Sequence, residues 1–470
     1  MKKNEIYTAT VCGYGSEGEG IVKLEGYTVF LPFAIPGEKV RFKVLKVQKN
    51  LVFAKIEEIL TPAKCRVFPK CDVFQKCGGC QLMHVEYGEQ LNLKRELIAN
   101  CFKKIAFLNV NPLETIPSSP ELCYRSKLQL PIRQTEKGIE IGFFALNSHR
   151  VVEIDNCIIH GEWCKKVISA LKKYIFDKNV SAYNEITHKG IVRHIVVKQV
   201  GLQFMVILVI NGDSIPFVNY FKGLLSEALG EFSLFLNINK RTDNVILTDD
   251  FIHICGNSTI TDSFLGVKYS VGPASFMQVN ESVKAKLYSK AIELVGDSET
   301  VIDAYCGAGL LTALFAKRAK KVVGIEIVEE AIDCAKEMAK ENGILNADFI
   351  CSPCEEVLPE IIKQNNNCTL VLDPPRKGLD RKIATAVIET KPKKIVYISC
   401  SPQTLARDVG IIGGSLKYEG NNLVKAISEP INCEVGAILP NGYKIDYICG
   451  YDMFAQCKGV ETLCVLKLVE

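Results

Sequence analysis

Short runs of alternating apolar and polar residues fill the first sixty positions of the chain. Glycines at positions 13, 15, 18, 20 and 26 and a Pro-Gly pair at 36–37 separate these runs. Several short strands at close spacing are typical of a small β-barrel. We therefore predict an all-β domain over residues 1–60.

Two further patterns follow before residue 270. A cysteine-rich loop at 65–80 precedes EYGEQLNLKRELIANCFKKI, which has the apolar spacing of a helix. Strand-like runs such as IVRHIVVKQV then mix with a helical pattern around GEWCKKVISALKKYIF. These patterns predict a cysteine-rich loop and helix over 61–100 and a mixed α+β central domain over 101–270.

Regular alternation of strands and helices marks residues 271–470. The strand candidates are 300–304, 321–326, 347–351, 368–372 and 394–399. Alternating elements of this kind predict a parallel sheet covered by helices on both faces. The expected fold class is α/β: a C-terminal Rossmann-like sheet, an N-terminal small β-barrel and a mixed α+β centre.

Composition narrows the class of protein. The chain has 470 residues, of which 48% are hydrophobic and 23% charged, as in ordinary globular proteins. It contains no apolar run of 18 residues, and MKKNEIYTAT lacks the apolar core of a signal peptide. With 20 cysteines and no secretion signal, we predict a reducing, cytoplasmic location and no membrane contact.

The charge is uneven along the chain. Residues 1–130 hold 19 Lys and Arg against 13 Asp and Glu, whereas the remainder holds 38 against 40. A basic front suggests a polyanionic partner, although charge alone fits a solvated surface as well.

The end of the first strand of the C-terminal half predicts a cofactor. In VIDAYCGAGLLT, Asp303 leaves the strand, and two glycines let the backbone pass close to a ligand. Thr312 stands where a dinucleotide fingerprint needs its third glycine. The next strand ends at Glu326, which suits ribose hydroxyls. An adenosine cofactor without a pyrophosphate, S-adenosylmethionine, is the expected ligand, and a simple tight turn is the alternative.

Two later strand ends carry candidate chemistry. LVLDPPRKGLD places Asp373 before two stiff prolines, with Arg376 where amine-directed methyltransferases carry an aromatic residue. KIVYISCSPQTLARD ends a strand at Cys400, and Ser401 and Pro402 suit the start of a helix. The helix N-terminus is expected to lower the pKa of the thiol and favour the thiolate. A buried structural cysteine is the alternative.

The chain's last histidine is His253, so the C-terminal half lacks the Cys-His pair of hydrolase-type acyl chemistry. A thiolate can instead add to carbon 6 of uracil, which makes carbon 5 nucleophilic enough to accept a methyl group. A base must then remove the proton from carbon 5. Glu461, before the final strand, is the best candidate, although taken alone it resembles a surface acid.

These residues lie in motifs that resemble the RumA/TrmA family of RNA 5-methyluridine methyltransferases over nearly the whole chain. The motifs are SFMQVN (275–280), DAYCGAG (303–309), VLDPPRKG (371–378), YISCSPQTLARD (397–408) and DMF…VET (452–462). The resemblance implies that four residues contact S-adenosylmethionine: Gln278, Tyr305, Glu326 and Asp373. It also implies that Cys400 is the nucleophile and Glu461 the proton acceptor.

The front of the chain also resembles parts of that family. Residues 1–60 resemble a TRAM domain, an OB-like RNA-binding barrel. CDVFQKCGGC (71–80) resembles the family's cluster loop. The resemblance implies a 4Fe-4S cluster on four cysteines: Cys71, Cys77, Cys80 and Cys157. Spacing alone leaves structural zinc open, and Cys65 is an extra nearby thiol.

The central region suggests contacts with structured RNA. Arg125, Lys127 and Arg193 lie in runs that resemble the family's RNA-facing segments and are candidates for phosphate contacts. The TRAM domain with a cysteine loop resembles the ribosomal members, so 23S rRNA is favoured over tRNA. A non-catalytic RNA-binding or ribosome assembly factor is the alternative from another class, and no obligate protein partner is evident.

Two stretches depart from the family pattern. The usual Phe-Pro-x-Thr-x-His before the terminal acid reads FAQCKG at 454–459, which puts the aim of Glu461 in doubt. About two dozen residues at 415–440 are an insertion without an assigned function.

Overall fold

A computed structural model describes residues 1–365 and 367–469. Residues 6–61 form a six-stranded sheet in the order β1-β5-β6-β4-β3-β2. Its strands are β1 Ile6–Thr10, β2 Gly13–Tyr14, β3 Gly20–Leu24, β4 Tyr27–Leu31, β5 Lys39–Gln48 and β6 Leu51–Thr61. The sheet closes around its own apolar core, which includes Val22, Phe42 and Val52. The predicted small β-domain at the front of the chain is confirmed.

A helical segment follows the cysteine-rich loop. It consists of α1 Tyr87–Cys101 and a π-helical turn, Phe102–Ala106, and is followed by the short strands β7 Leu108–Asn109 and β8 Leu113–Ile116. The helix predicted from EYGEQLNLKRELIANCFKKI is therefore present. β8 does not join the central sheet, because it pairs in parallel with a strand near the C-terminus.

The central region is a seven-stranded sheet with the order β11-β10-β9-β12-β13-β14-β15. Its elements are β9 Lys127–Thr135, β10 Gly138–Phe144, β11 Val151–Glu153, α2 Trp163–Asp177, β12 Val192–Val200, β13 Gln203–Ile210, α3 Val218–Leu229, β14 Phe232–Ile238 and β15 Phe251–Cys255. Helices α2 and α3 cover one face of the sheet. The hairpin of β16 Ile260–Phe264 and β17 Val267–Val271 packs on the other.

The C-terminal half contains an eight-stranded, largely parallel sheet with helices between its strands. The elements are α4 Glu281–Val295, β18 Ser298–Ala304, α5 Leu310–Ala316, β19 Ala319–Glu326, α6 Glu329–Glu341, β20 Ala347–Cys351, α7 Cys354–Gln364, β21 Thr369–Leu372, α8 Arg381–Thr390, β22 Lys394–Ser399, α9 Pro402–Gly413, β23 Leu416–Glu419, β24 Asn422–Lys425, β25 Ile431–Asn432, β26 Tyr443–Tyr451 and β27 Glu461–Leu468. The strand order is β20-β19-β18-β21-β22-β27-β26-β8. All five predicted strands are present, and the Rossmann-like fold class is confirmed.

The insertion at 415–440 forms a small addition beside this sheet. Strands β23 and β24 make a hairpin, and β25 pairs with β7 from the front of the chain. The Ser415 hydroxyl donates a hydrogen bond of 2.6 Å to the carbonyl of Ala106. The insertion thus ties the helical segment at 87–106 to the C-terminal sheet. No helix in the two described stretches of chain is long and apolar enough to cross a membrane.

Candidate active site

A cavity of about 1420 Å³ opens at the carboxyl ends of β18, β19, β21 and β22. In parallel α/β sheets this edge is where ligands bind. The predicted site residues that form part of its wall are Cys71, Cys77, Cys80, Cys157, Gln278, Tyr305, Glu326, Asp373, Cys400 and Glu461. The fold therefore brings the ten residues predicted to bind the cofactor, to catalyse the reaction or to hold the cluster into one continuous space.

Tight backbone turns shape the end of β18. Tyr305 adopts a left-handed conformation with φ of 66°, which is uncommon for a residue with a side chain and often marks functional sites. Gly309 also has a positive φ, and a Cβ there would lie 2.7 Å from the Cβ of Ala335. A larger residue at position 309 would therefore push helix α6 away from the turn.

The carboxylate of Glu326 is held at the end of β19 by backbone groups. It accepts hydrogen bonds from the backbone N–H of Gly307 at 3.1 Å, Ile327 at 2.8 Å and Val328 at 3.1 Å. These bonds fix the carboxylate at the cavity wall, where its remaining lone pairs can accept from vicinal hydroxyls. Such an arrangement suits the ribose of an adenosine cofactor.

Thr312 has a structural role at the position of the missing third glycine. Its hydroxyl donates a hydrogen bond of 2.6 Å to the buried carboxyl of Asp303. Burial, with a further contribution from Glu326, raises the pKa of Asp303 to about 7. The side chain at 312 thus occupies space that a pyrophosphate-binding turn would leave open.

Cys400 directly follows β22, where the strand gives way to α9. The Ser401 side chain accepts a hydrogen bond from the backbone N–H of Thr404, and Pro402 opens the helix, as expected. The predicted lowering of the thiol pKa is wrong. Burial and the nearby carboxyl of Glu461 raise the pKa of Cys400, and the Arg376 guanidinium only partly opposes them.

Glu461 is a buried residue, not a surface acid. Only 4% of its surface is exposed, and it is the first residue of β27. Burial, and then the charge of Asp373, raise its pKa to about 8, while Arg376 acts in the opposite direction. A carboxyl with this pKa can both take up and release a proton near neutral pH.

Asp373 lies between the cofactor edge and the thiol. Burial, followed by the effect of Asp303, raises its pKa to about 7. The prolines that follow it and Arg376 also line the cavity. A cationic ligand at this position would meet the half-buried carboxyl of Asp373 and the buried carboxyl of Glu461, which favours a positively charged cofactor.

The four cysteines of the predicted cluster also line the cavity. Cys71, Cys80 and Cys157 pack in one small apolar cluster with Met83. In the described part of the chain, no group of three or more His, Cys, Asp or Glu side chains is arranged to hold a single metal ion. The structure therefore places the cysteines together without a single-ion site.

One cysteine beside this wall was missed from the sequence. The thiol of Cys457 donates to the carbonyl of Gly79 at 3.0 Å and lies 4.0 Å from the sulfur of Cys80. It falls in the stretch at 454–459 that departs from the family pattern, so the departure itself was the available signal.

Tyr288 was also missed from the sequence. Burial and nearby Asp373 raise the pKa of its phenol.

The candidate phosphate contacts fall into two classes. Arg125 and Lys127 are half-buried and line the cavity. Arg193 is only 3% exposed, and its guanidinium donates to the carbonyls of Asn239 and Arg241, each at 2.6 Å. The expectation that Arg193 meets phosphate is therefore wrong, because its guanidinium is buried and Nη1 already donates to backbone carbonyls.

Comparison with known proteins identifies the family. Residues 223–420 match the model of the tRNA (Uracil-5-)-methyltransferase family, and residues 2–56 match the TRAM domain. An uncharacterized RNA methyltransferase of Clostridium tetani is 40% identical over 88% of this chain and 91% of its own. Another RNA methyltransferase, from Clostridium acetobutylicum, is 37% identical over 100% of this chain and 98% of its own.

A solved structure extends the likeness to the whole fold. The tRNA (uracil-54, C5)-methyltransferase of Pyrococcus abyssi, in complex with S-adenosyl-L-homocysteine, superposes with a TM-score of 0.73. It is 25% identical, and the match covers 98% of this chain and 100% of that one. The chain therefore belongs to the RumA/TrmA-like family of S-adenosylmethionine-dependent RNA (uracil-5-)-methyltransferases and carries an N-terminal TRAM domain.

Proposed function

We propose that this enzyme methylates carbon 5 of a uridine in 23S rRNA through a covalent adduct on Cys400. The observation that carries the proposal is the joint placement of Cys400 and Glu461 at the end of one strand pair. Ser399 of β22 pairs with Thr462 of β27, so the residues just beyond them face the same cavity. A nucleophile and a base are thereby available to one bound ring.

The reaction balances with these two groups. The Cys400 thiolate adds to carbon 6 of uracil, and the electron pair of the carbon 5–carbon 6 double bond moves toward the carbonyl at carbon 4. Carbon 5 then attacks the sulfonium methyl, which leaves S-adenosylhomocysteine. Glu461 removes the proton from carbon 5, the double bond reforms, and the carbon 6–sulfur bond breaks to return the thiolate.

The cofactor is assigned to the adjoining edge of the cavity. Glu326 accepts the ribose hydroxyls, and Tyr305 and Gln278 contact the rest of the cofactor. Asp373 provides negative charge for the cationic part of the cofactor. This arrangement is supported by the carboxyls of Glu326, Asp373 and Glu461 along the cavity, since a cation stabilises their ionised forms.

The uridine has to leave its base stack, because the thiolate and the methyl donor approach different faces and atoms of the ring. Arg125 and Lys127 are placed at the cavity wall to contact the phosphates that flank it. Both are half-buried in a cleft, where they meet less competing solvent than surface cations do. The RNA partner is therefore expected to present an accessible uridine in a structured context.

We also assign a 4Fe-4S cluster to Cys71, Cys77, Cys80 and Cys157. The four thiols are of the type that iron–sulfur clusters require, and they share one cavity wall. A zinc ion would need all four sulfurs about 2.3 Å from one point, whereas in a cluster each thiolate binds a different iron. When bound, the cluster would crosslink the loop at 71–80 to Cys157.

Two rival functions remain to be separated from this one. The Pyrococcus abyssi relative is a tRNA (uracil-54, C5)-methyltransferase, which favours a tRNA uridine as the second candidate substrate. The FAQCKG stretch before Glu461 keeps open a non-catalytic RNA-binding or ribosome assembly factor. The cysteine loop and TRAM domain support rRNA over tRNA by resemblance to ribosomal members.

Mass spectrometry with 5-fluorouridine-substituted RNA tests all three. Fluorine at carbon 5 cannot leave as a proton, so a methylated protein–RNA adduct accumulates. We expect an adduct on Cys400 with 23S rRNA fragments and none with tRNA transcripts. An adduct with tRNA alone would reassign the substrate. Cofactor binding without any adduct would leave the RNA-binding factor, and Cys400→Ala is the matched negative control.

A further inference from the structure

The loop at 452–460 connects β26 to β27 and carries Glu461 into the cavity. The two residues that flank it, Tyr451 and Glu461, are direct partners across the antiparallel pair. The chain therefore leaves β26 and enters β27 at residues that lie directly opposite each other. The start of the loop thus lies directly across the strand pair from Glu461.

The start of the loop is fixed by a buried ion pair with helix α1. Asp452 is fully buried, and its carboxylate contacts the ammonium of Lys94, which is 1% exposed. The Tyr87 hydroxyl donates a further hydrogen bond of 2.7 Å to Asp452 and accepts one of 2.8 Å from the backbone N–H of Ser118. Lys94 also donates to the carbonyl of Phe454 at 3.0 Å.

The middle of the loop is held by the same helix and its neighbours. Gln90 and Gln456 exchange two hydrogen bonds of 3.1 Å, one from each residue. Gln456 has a left-handed φ of 68°, a conformation that persists only where contacts hold it. The Tyr124 hydroxyl donates to the carbonyl of Ala455 at 2.9 Å. The loop at 454–459 is thus ordered despite its unusual sequence.

We propose that Lys94 and Tyr87 are positioning residues that set the placement of Glu461 through Asp452. The inference rests on the proposed function, in which Glu461 takes the proton from carbon 5. Buried charges without their partners are costly, so the pair at the loop start has one low-energy arrangement. A proton acceptor has to lie within hydrogen-bond reach of its proton, and this arrangement fixes the strand end that carries it.

The consequence is specific to one step of the reaction. Cys400 lies between β22 and α9, whereas the hydrogen bonds of Lys94 and Asp452 go to each other, to Tyr87 and to Phe454. Thiolate addition and methyl transfer should therefore proceed when the pair is weakened. Proton removal and release of the thiolate are slowed, because only they use Glu461. A methylated adduct therefore persists on natural uridine RNA. A purely structural role would lower all steps together.

The matched variants are Tyr87→Phe and Tyr443→Phe. Each removes one hydroxyl from a mostly buried tyrosine, and Tyr443 donates at 2.9 Å to the carbonyl of Pro392 at the opposite end of β26. Wild-type enzyme is first shown to trap 5-fluorouridine RNA, which tests the proposed function by itself. Methyl transfer and adduct decay are then followed on natural uridine RNA by rapid quench and denaturing gels.

We expect Tyr87→Phe to transfer the methyl group at a rate within about twofold of wild type. Its adduct should decay about tenfold more slowly, because a small misplacement of a catalytic group lowers the rate of the step that uses it. Tyr443→Phe should match wild type in both rates. The charge-neutral double variant Lys94→Met with Asp452→Leu should lengthen the adduct lifetime further.

Two results would overturn the positioning role. The first is an adduct lifetime equal to that of wild type in both Tyr87→Phe and the double variant. The second is an equal decrease in the rates of methyl transfer and of adduct decay. If one variant fails to fold, as judged by cofactor binding, the other decides. Failure of the wild-type enzyme to trap fluorinated RNA would instead reject the proposed function.

Discussion

Ser399 of β22 and Thr462 of β27 are directly paired across antiparallel strands, although 62 positions separate them in the chain. The next residue beyond each, Cys400 and Glu461, lies on the wall of the same cavity. The separation of the proposed nucleophile and base is therefore set by the register of the sheet. Side-chain flexibility contributes little, because Glu461 is almost completely buried.

Release of the methylated product should depend on pH through Glu461. Its pKa is raised to about 8, so only about one-tenth of the carboxyl is ionised at pH 7. Since the ionised form accepts the proton, the rate of adduct decay should rise about tenfold between pH 7 and pH 9. Single-turnover decay measured across this range gives the profile.

Glu461→Gln supplies the control for that profile. The amide cannot take the proton, so the adduct should form and persist on natural uridine RNA at every pH. Addition of Cys400 should also speed up as pH rises, because the pKa of its thiol is raised as well. A decay rate independent of pH in the wild-type enzyme would contradict the assignment of Glu461.

The stability of the cofactor-free protein should fall as pH rises. The carboxyl of Asp373 has an ordinary pKa of 3.8 and a folded pKa of about 7, so the folded state binds its proton more tightly than the unfolded state does. The stability from this group is complete below pH 4 and is lost as pH rises through about 7. Thermal unfolding at pH 5 and pH 8 measures the loss.

Asp373→Asn should reduce this dependence, because an amide does not titrate, while Asp303 and Glu461 still contribute to it. Asp297→Asn, at a carboxyl whose side chain is 88% exposed, is the control and should leave the slope unchanged. S-adenosylmethionine should raise the unfolding temperature more at pH 8 than at pH 5, since its positive charges stabilise ionised carboxyls. Equal slopes in wild type and Asp373→Asn would show that Asp373 titrates normally.

The helices and strands of this fold could be predicted from the sequence because their apolar residues recur with a clear helical or strand period. The five predicted β-strands of the C-terminal half and helix α1 lie where apolar spacing placed them, within a few residues. The ends of these strands determine which residues share an edge, so Tyr305, Glu326, Asp373 and Cys400 could be grouped from the sequence alone. Local pattern and one topological rule were sufficient.

Long-range properties were not accessible in the same way. The pKa of Cys400 is governed by burial and by Glu461, and neither follows from the helix that begins after it. Arg193 lies in an alternating strand like Lys127, but tertiary contacts bury its guanidinium against backbone carbonyls. The domain boundaries at 60, 100 and 270 stay predictions, and β8 shows that one segment of the central range joins another sheet.

The cysteines near the front of the chain should differ in whether their substitution abolishes binding of the iron–sulfur cluster. We expect Cys77→Ser to lose the visible absorbance, iron and acid-labile sulfide of anaerobically purified protein. Cys65→Ser should keep all three, because Cys65 packs with Ile35 and Leu82 away from the cavity. If the protein instead contains one zinc ion per chain and neither iron nor sulfide, these cysteines bind a structural ion and not a cluster.

Arg125 and Lys127 should govern RNA affinity through phosphate contacts. Each contact releases counterions, so Arg125→Ala or Lys127→Ala should weaken binding and reduce the slope of log affinity against log salt by about one. Lys320→Ala is the control, since that side chain is 76% exposed and lies outside the cavity. Fluorescence anisotropy with a labelled rRNA fragment measures the slope. An unchanged slope in both variants would mean that the cations at this wall orient protein groups and do not bind phosphate.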